Sequence, residues 1–419
     1  MNINKILIIT YDWPPRNSIA THRPYSWAKY FSNAGFQVTV LTAEKQLYDY
    51  PLGLSLPILD NVNVITVPNS NNTKKYNLLS KLKNGTKLFS FLKIMNTKIR
   101  TLFGIEFDPR KWWSNLIISN KYIISSDYDF VISTYGPQSA HYIAEYLKYK
   151  NNNIKWIADY RDLWSISHLS DFPIWKKKYI MRKEYNLIVN KANFVTTVSD
   201  ELAKDLDAFF GIKSYVILNG FDIDSKLLYD NLNNRPKFKN NNLKIVYTGM
   251  IYIGRRDPTP LFKAISEIDN NNIILEFYGT SSDVILKYFN GNLPNHIKCM
   301  GHVDREVALF HQKNADYLLL LESSEEDAKG VLTGKVFEYI ASGTPILSIG
   351  SRRDSAIGKL LNYTGCGKCF EKNIDDIKIE LQFSATRDFP EWYKPNFDRI
   401  IKFSRENQSK ILMELIQNN

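Results

Sequence analysis

Short apolar runs of strand length alternate with helix-length amphipathic stretches along most of this chain. No other feature restricts the fold as strongly. The first run is Lys5–Thr10, all Ile and Leu between its ends. A loop, Tyr11–Thr21, leads into a helical pattern with Trp27, Ala28, Phe31 and Ala34 on one face. Gly35 stands where helices end in a left-handed residue, and Val38–Leu41 is the next strand. Further strands are predicted at Val62–Val67, Phe130–Ser133, Trp156–Ala158 and Phe194–Val198. Apolar strands joined by helices form parallel sheets covered on both faces. After Asn231–Asn242, rich in Asn, Lys and Pro, the pattern restarts. Lys244–Thr248 is a strand, Gly249–Pro258 a loop and Pro260–Ile268 a helix. Strands at Ile273–Tyr278, Ile297–Met300, Tyr317–Leu321 and Pro345–Ile349 follow. The expected fold class is therefore α/β, with two Rossmann-like domains facing across a cleft, residues 1–210 and 211–395.

Composition excludes several alternatives. The 419 residues are 44% hydrophobic and include 25 Tyr, 23 Phe and 8 Trp, far too apolar for a disordered chain. Three cysteines are too few for a disulfide framework and fit a reducing compartment. Cys366 and Cys369 form a C-x-x-C with no His at finger spacing, so buried thiols are expected and no metal site. KILIIT is too short for a secretory signal, and no run approaches the ~20 apolar residues of a membrane span. The chain is expected to be cytoplasmic, soluble or peripheral on a membrane.

Charge is unevenly spread. Of the net +11, residues 1–200 supply 26 Lys/Arg against 14 Asp/Glu, and residues 201–419 supply 28 against 29. The excess gathers in 74–111 and in Lys176, Lys177, Lys178, Arg182 and Lys183. Both segments interleave cations with Leu, Phe, Trp and Tyr, as a helix on an anionic bilayer would. A solvated helix with its apolar stripe on its own domain fits equally well. Nucleic acid is disfavoured, because no helix-turn-helix, zinc-finger or RNA-recognition signature accompanies the charge.

Ligands of open α/β sheets bind beyond the carboxyl ends of the strands, which directs attention to two loops. The first, Gly249 to Pro258, carries Gly254, Arg255 and Arg256. Its glycines admit a ligand to the backbone, and its arginines suit a diphosphate, though such a pair is often merely solvated. The second is Gly330-Val-Leu-Thr333-Gly334-Lys335-Val-Phe-Glu338. Thr333 and Gly334 lead into a helix whose first N–H groups can bind phosphate. Lys335 and Glu338 lie one turn apart, so that the carboxylate can accept both hydroxyls of a ribose. The alternative is an exposed salt bridge between these two side chains.

These motifs, with the KILIIT-YDWPP opening and its Arg23 helix, Asp159-Tyr-Arg161-Asp162-Leu-Trp164, Phe194–Ser199, Ile217–Asp222 and Glu338-Tyr-Ile-Ala-Ser-Gly343-Thr-Pro345, resemble the retaining GT-B glycosyltransferases of bacterial family 4. The resemblance implies a metal-independent enzyme without a cofactor, whose second domain binds a UDP- or GDP-linked sugar. It implies that Glu338 holds the ribose, that Lys335 and Arg255 or Arg256 neutralise the departing diphosphate, and that Gly249, Thr333 and Gly334 line the donor. A terminal helix, 396–419, would pack back on the first, acceptor-binding domain. Two positions depart from the pattern. Gly330 replaces a glutamate that contacts the donor sugar, leaving Glu325, Glu326 or Asp327 as substitutes, with Glu326 preferred; Met250 replaces an arginine. The acceptor would meet Asn17 and Ser18, Tyr135 in the Thr134–Pro137 turn, and Arg161 and Asp162; His22 and His141 are weaker candidates. A lipid-linked saccharide acceptor at the cytoplasmic face of an anionic membrane, in O-antigen or capsule assembly, is the expectation. A nucleotide-sugar epimerase, or a silent sugar- or nucleotide-binding subunit, is the rival reading.

Overall fold

A computed structural model describes residues 4–69, 110–166, 173–234, 243–251, 254, 256–268, 272–323, 332–384 and 389–418. It divides into two compact units: Met1–Val198 with Leu202–Ile217 and Ser409–Asn419, and Ser199–Glu201 with Leu218–Gln408.

The first unit holds seven parallel strands: β1 Lys5–Ile9, β2 Gln37–Ala43, β3 Val62–Val67, β4 Phe130–Thr134, β5 Lys155–Tyr160, β6 Phe194–Thr197 and β7 Ser214–Val216. Their order is β3-β2-β1-β4-β5-β6-β7. Alternate residues of β1 face opposite cores, which is why a continuous apolar run was needed there. Leu7 and Ile9 pack with the helices Ser139–Lys150, Ile174–Ile188 and Asp200–Phe210. Ile6 and Ile8 pack with Trp27, Ala28 and Phe31 of the helix Ile19–Asn33 and with Leu412, Met413 and Ile416. Because β7 pairs with β6, this unit runs to Ile217 and not to 210.

The second unit has six parallel strands: β8 Leu243–Thr248, β9 Ile273–Tyr278, β10 Ile297–Gly301, β11 Tyr317–Leu321, β12 Ile346–Ile349 and β13 Gly367–Glu371. Their order is β10-β9-β8-β11-β12-β13. Both sheets therefore reverse direction of growth beside their first strand, at β1/β4 and at β8/β11. Such switch points open a crevice at the carboxyl ends of the strands.

Two details differ from the sequence reading. The single helix 396–419 is interrupted: Phe397–Ile400 tightens into a 3-10 turn, Ile401–Phe403, and Ser404 is extended before Arg405–Gln417. A bridge between Phe221 and Ser404 holds that break, a long-range pairing with no local signal. His141 of the first unit is also more deeply placed than expected, as part of a buried polar layer. Arg23 Nε and Nη2 donate to both oxygens of Asp159, at 3.1 and 2.7 Å, and both residues are buried. Arg23 Nη1 reaches the Ile217 carbonyl at 2.7 Å, and Thr196 Oγ1 donates to Asp159 at 2.8 Å. This network ties the first helix to β5 and β6. His141 lies in the core, its Nδ1 2.7 Å from Ser133 Oγ, and burial lowers its pKa to about 3. It is a neutral packing residue.

Cys366 and Cys369 are buried around the edge strand β13, where burial raises their thiols to about 12 and about 11. Among the described residues no helix is long and apolar enough to cross a membrane.

Candidate functional site

At the β8/β11 switch point, β8 ends in Thr248 and the chain turns through Gly249 at φ +135°. A side-chain carbon there would collide with Lys335 Nζ and stand 2.9 Å from its Cε. Gly249 suits its left-handed backbone, and the Lys335 ammonium lies in the space a side chain would take. A side-chain carbon at Gly279, just after β9, would stand 3.3 Å from the backbone of Gly249. Thr280 Oγ1 pins the loop by donating to the Gly249 carbonyl at 2.6 Å and accepting from Ile251 N–H at 3.2 Å.

The helix Gly334–Ser342 points its N-terminus at the same place. Thr333 is its N-cap, yet makes no side-chain cap bond; its hydroxyl donates instead to Glu322 Oε1 at 3.1 Å. Val336 N–H donates to the Thr333 carbonyl at 3.2 Å, and the helix N-terminus presents the positive end of its dipole here. Thr248 N–H donates to Tyr339 Oη at 2.9 Å, locking this helix on β8, while Gln312 Nε2 of the helix Arg305–Lys313 donates to Thr248 Oγ1 at 2.9 Å. Gly343 closes it at φ 73°, where any side chain would strike the Asn231 carbonyl.

Lys335 Nζ sits 4.2 Å from the centroid of the Tyr247 ring, buried and without a hydrogen bond. Burial first, and Arg256 second, lower its pKa from the ordinary lysine value. Arg256 Nε lies 3.9 Å from Glu322 Oε2, and burial raises the Glu322 carboxyl against the pull of Arg256 and Lys335. Glu338 does not pair with Lys335. Its Oε1 accepts from Arg305 Nη2 at 2.7 Å, across from the helix Arg305–Lys313, so the exposed i,i+3 salt bridge is absent.

The second unit thus gathers Gly249, Arg256, Thr333, Gly334, Lys335 and Glu338 at one sheet end. Arg255 and Glu326, with Glu325, Asp327 and Gly330, lie outside the described residues. Glu322 and Arg305 were missed by the sequence reading. Glu322 is the first acid after the Leu run of β11, a position that the carboxyl-end rule makes readable; Arg305 carries no local signal.

The first-unit candidates separate. Ser18 caps the helix Ile19–Asn33, its Oγ accepting from Ala20 N–H at 3.2 Å, and Asn17 is exposed beside it. Tyr135 stacks on Tyr160 and Trp164, each at 6.0 Å. Arg161 lies against Gly136 and pairs with Asp12 at 3.2 Å and Asp162 at 3.1 Å. Lys176, placed with the exposed basic cluster, is instead buried; Lys178, Arg182 and Lys183 are exposed. Of the basic segment 74–111, only Arg110 and Lys111 are described. Among the described residues no group of three or more His, Cys, Asp or Glu side chains could hold a metal ion.

No protein-family model matches the chain, and no curated protein matches its sequence. Solved structures match it over its full length. A glycosyltransferase from Rickettsia africae has a TM-score of 0.62 at 16% identity, covering 100% of this chain and 99% of its own. Anabaena HepE, solved with UDP and glucose, scores 0.60 at 12%, covering 99% and 100%. The lipopolysaccharide outer core galactosyltransferase WaaB, in its apo form, scores 0.58 at 14%, covering 99% of each chain. At these identities the likeness is one of fold.

Proposed function

We propose that this chain, a two-domain α/β protein of the GT-B fold, is a glycosyltransferase that uses a nucleotide-sugar donor. The observation that carries the reading is Lys335: an ammonium buried without a hydrogen bond, beside a helix N-terminus without a side-chain cap and over a glycine that leaves it room. A desolvated cation of this kind is costly until an anion meets it. A diphosphate fits, with Lys335, Arg256 and the helix amides on its oxygens. HepE, of the same fold, was solved with UDP and glucose, which favours UDP as the nucleotide here.

The same groups account for transfer. As the bond from the anomeric carbon to the diphosphate oxygen breaks, negative charge grows on the leaving group. Fixed cations and amides stabilise that charge most in the transition state. In a retaining front-face reaction the acceptor oxygen bonds the anomeric carbon and its proton passes to the departing phosphate. No protein base and no metal is then needed, in keeping with family 4 of the retaining enzymes. Arg305 holds Glu338 by Oε1, leaving Oε2 for the ribose hydroxyls. Arg305 is a positioning residue in this scheme. A thermal-shift panel of UDP-, GDP- and CMP-sugars tests the donor site. Glu338→Ala should weaken the preferred nucleotide about 10–100-fold, the loss of hydrogen bonds to a charged acceptor, and should erase discrimination against the 2′-deoxy form. No nucleotide-dependent shift in the wild type would refute the reading.

The acceptor we propose is a lipid-linked saccharide on an anionic membrane surface, as in O-antigen or capsule assembly. The support is the helix Ile174–Ile188, which exposes Trp175 by 59% and Tyr179 by 65% beside Lys178, Arg182 and Lys183. Aromatic rings flanked by cations suit the headgroup boundary. Binding to vesicles containing anionic lipid should fall with salt, and Lys178→Gln with Arg182→Gln should weaken it about 30-fold at ~1 kcal/mol per charge. Salt-independent binding, or none, removes the membrane from the account.

A further inference from the structure

A crevice of about 370 Å³ lies wholly within the first unit, lined by the helix Ser139–Lys150, by Ile118 and by the turn after the helix Ile174–Ile188. Its volume falls in the range of small-ligand pockets, ~300–1,000 Å³. Asn152 and Lys191, on its wall, stand just before β5 and β6, so it opens at the amino ends of the strands. The acceptor candidates Tyr135 and Arg161 follow β4 and β5, at the opposite ends. Nothing in the transfer chemistry uses this crevice. Most of its wall is one helix face: Tyr142, Glu145, Tyr146 and Tyr149 recur at i, i+3, i+4 and i+7. The other face, Ala140, Ile143, Ala144 and Leu147, already fills the core. Tyr142 and Tyr146 rest on the edge of that core. Tyr149 is 85% exposed and, among the described residues, meets no ring or hydrogen-bond partner.

The lining selects among ligand classes. Trp164 meets Tyr142 edge-on at 6.0 Å, and Tyr146 Oη donates to the Asn120 side chain, so both rings are fixed before a ligand arrives. Glu145 and Lys191 pair with each other, and Asn152 and Asn190 add two exposed amides. Lys148 directs its ammonium to the Asn152 and Ile154 carbonyls, at 3.3 and 2.7 Å, and to Asn193 Oδ1 at 3.1 Å. With both lysines engaged, the wall does not favour an anion. A wholly apolar ligand would strip water from the amides and the ion pair without replacing their hydrogen bonds. A neutral, polyhydroxylated ring meets both demands. Its C–H face lies on a tyrosine, and its hydroxyls exchange hydrogen bonds with the amides and the Glu145 carboxylate. Tyr142 and Tyr149 stand about 10 Å apart along the helix axis, a span that two linked sugar rings cover.

We propose that this crevice is a binding site for a neutral disaccharide unit, stacked on Tyr146 and Tyr149 and hydrogen-bonded by Glu145, Asn152 and Asn190. The site does not depend on the nucleotide-sugar reading, because that reading rests on residues of the second unit and this one on residues of the first.

The test is saturation-transfer NMR on the full-length protein with maltose, cellobiose, lactose and N,N′-diacetylchitobiose at millimolar concentration. At least one should bind. Its affinity should weaken about 10-fold in Tyr149→Ala, which removes a stacking partner, and hold in Tyr149→Phe, which keeps the ring. Asn190→Ala should weaken it about 3–10-fold through a lost hydrogen bond. Both side chains are exposed, so the variants should fold, and unchanged melting curves would show it. Binding should also survive Lys335→Met and saturating UDP, which separates this site from sugar bound at the donor loop. Binding of none of the four disaccharides, binding indifferent to both Tyr149→Ala and Asn190→Ala, or binding abolished by Lys335→Met would overturn the site. Octanoate or inorganic phosphate bound more tightly than every sugar, and lost in Tyr149→Ala, would overturn the saccharide assignment. A failure of UDP to bind the wild type would instead count against the donor reading and leave this result intact.

Discussion

Lys335→Met is expected to lower kcat/KM for the sugar donor by about 10²–10³, the usual effect of removing one fixed donor to a developing oxyanion. The folded protein should lose no stability. Lys335 is buried without a hydrogen bond, and its pKa is lowered by burial and then by Arg256. A lysine with a lowered folded-state pKa costs stability while it is charged. That cost is full below the folded pKa and fades as the pH rises toward the unfolded value. Methionine, of similar length and without charge, removes the cost, so the ligand-free melting temperature should hold or rise at neutral pH. Donor binding should take up a proton in the wild type, because the diphosphate restores the charge on Lys335. Affinity should fall as the pH rises between the pKa of the empty site and the higher one of the occupied site. Calorimetry in buffers of different ionisation enthalpy reads that proton directly, and Lys335→Met should abolish the dependence. Normal turnover in the variant would remove Lys335 from the chemistry.

Asp159→Ala should have the opposite profile, with stability lost before any chemistry is touched. The substitution strands the buried Arg23 guanidinium and deprives Thr196 Oγ1 of its acceptor. Breaking a buried pair from one side costs about 3–5 kcal/mol. A urea titration followed by tryptophan fluorescence should show the first unit unfolding earlier, because Arg23 also joins the first helix to Ile217. Replacing both partners together, Arg23→Met with Asp159→Leu, should recover much of the loss, since no unpaired charge then remains. A small change in Asp159→Ala would mean that water reaches Arg23, contrary to its burial.

The sheets were legible because parallel strands buried on both faces must be written as continuous apolar runs. Ile273–Tyr278 and Tyr317–Leu321 were located to the residue, and so was the edge strand Val62–Val67, whose Val and Ile residues mark it although only its two ends are buried. The strands that escaped are edge strands. Ser214–Val216 has three residues, and only Ser214 is buried; Gly367–Glu371 buries only Cys369 and Phe370. Neither writes an apolar run. The loop after β8 and the helix at Lys335 were readable from glycine positions and charge. Their pairing partners were not: Glu338 was weighed against Lys335 by helical spacing, whereas a distant arginine, Arg305, holds it. Lys45 and Arg110, far apart in sequence, likewise come together only in the fold, both over the Tyr11 ring.

The central claim is that the Lys335 site releases a nucleoside diphosphate when its sugar moves to an acceptor. The most direct measurement is nucleoside diphosphate release from a UDP- or GDP-sugar by the wild type and by Lys335→Met, with and without a lipid diphosphate saccharide. The account predicts release that requires the acceptor, accompanied by a glycosylated product, and about 10²–10³ slower in the variant. Release equal in the two proteins, or sugar epimerisation with no acceptor present, would contradict it.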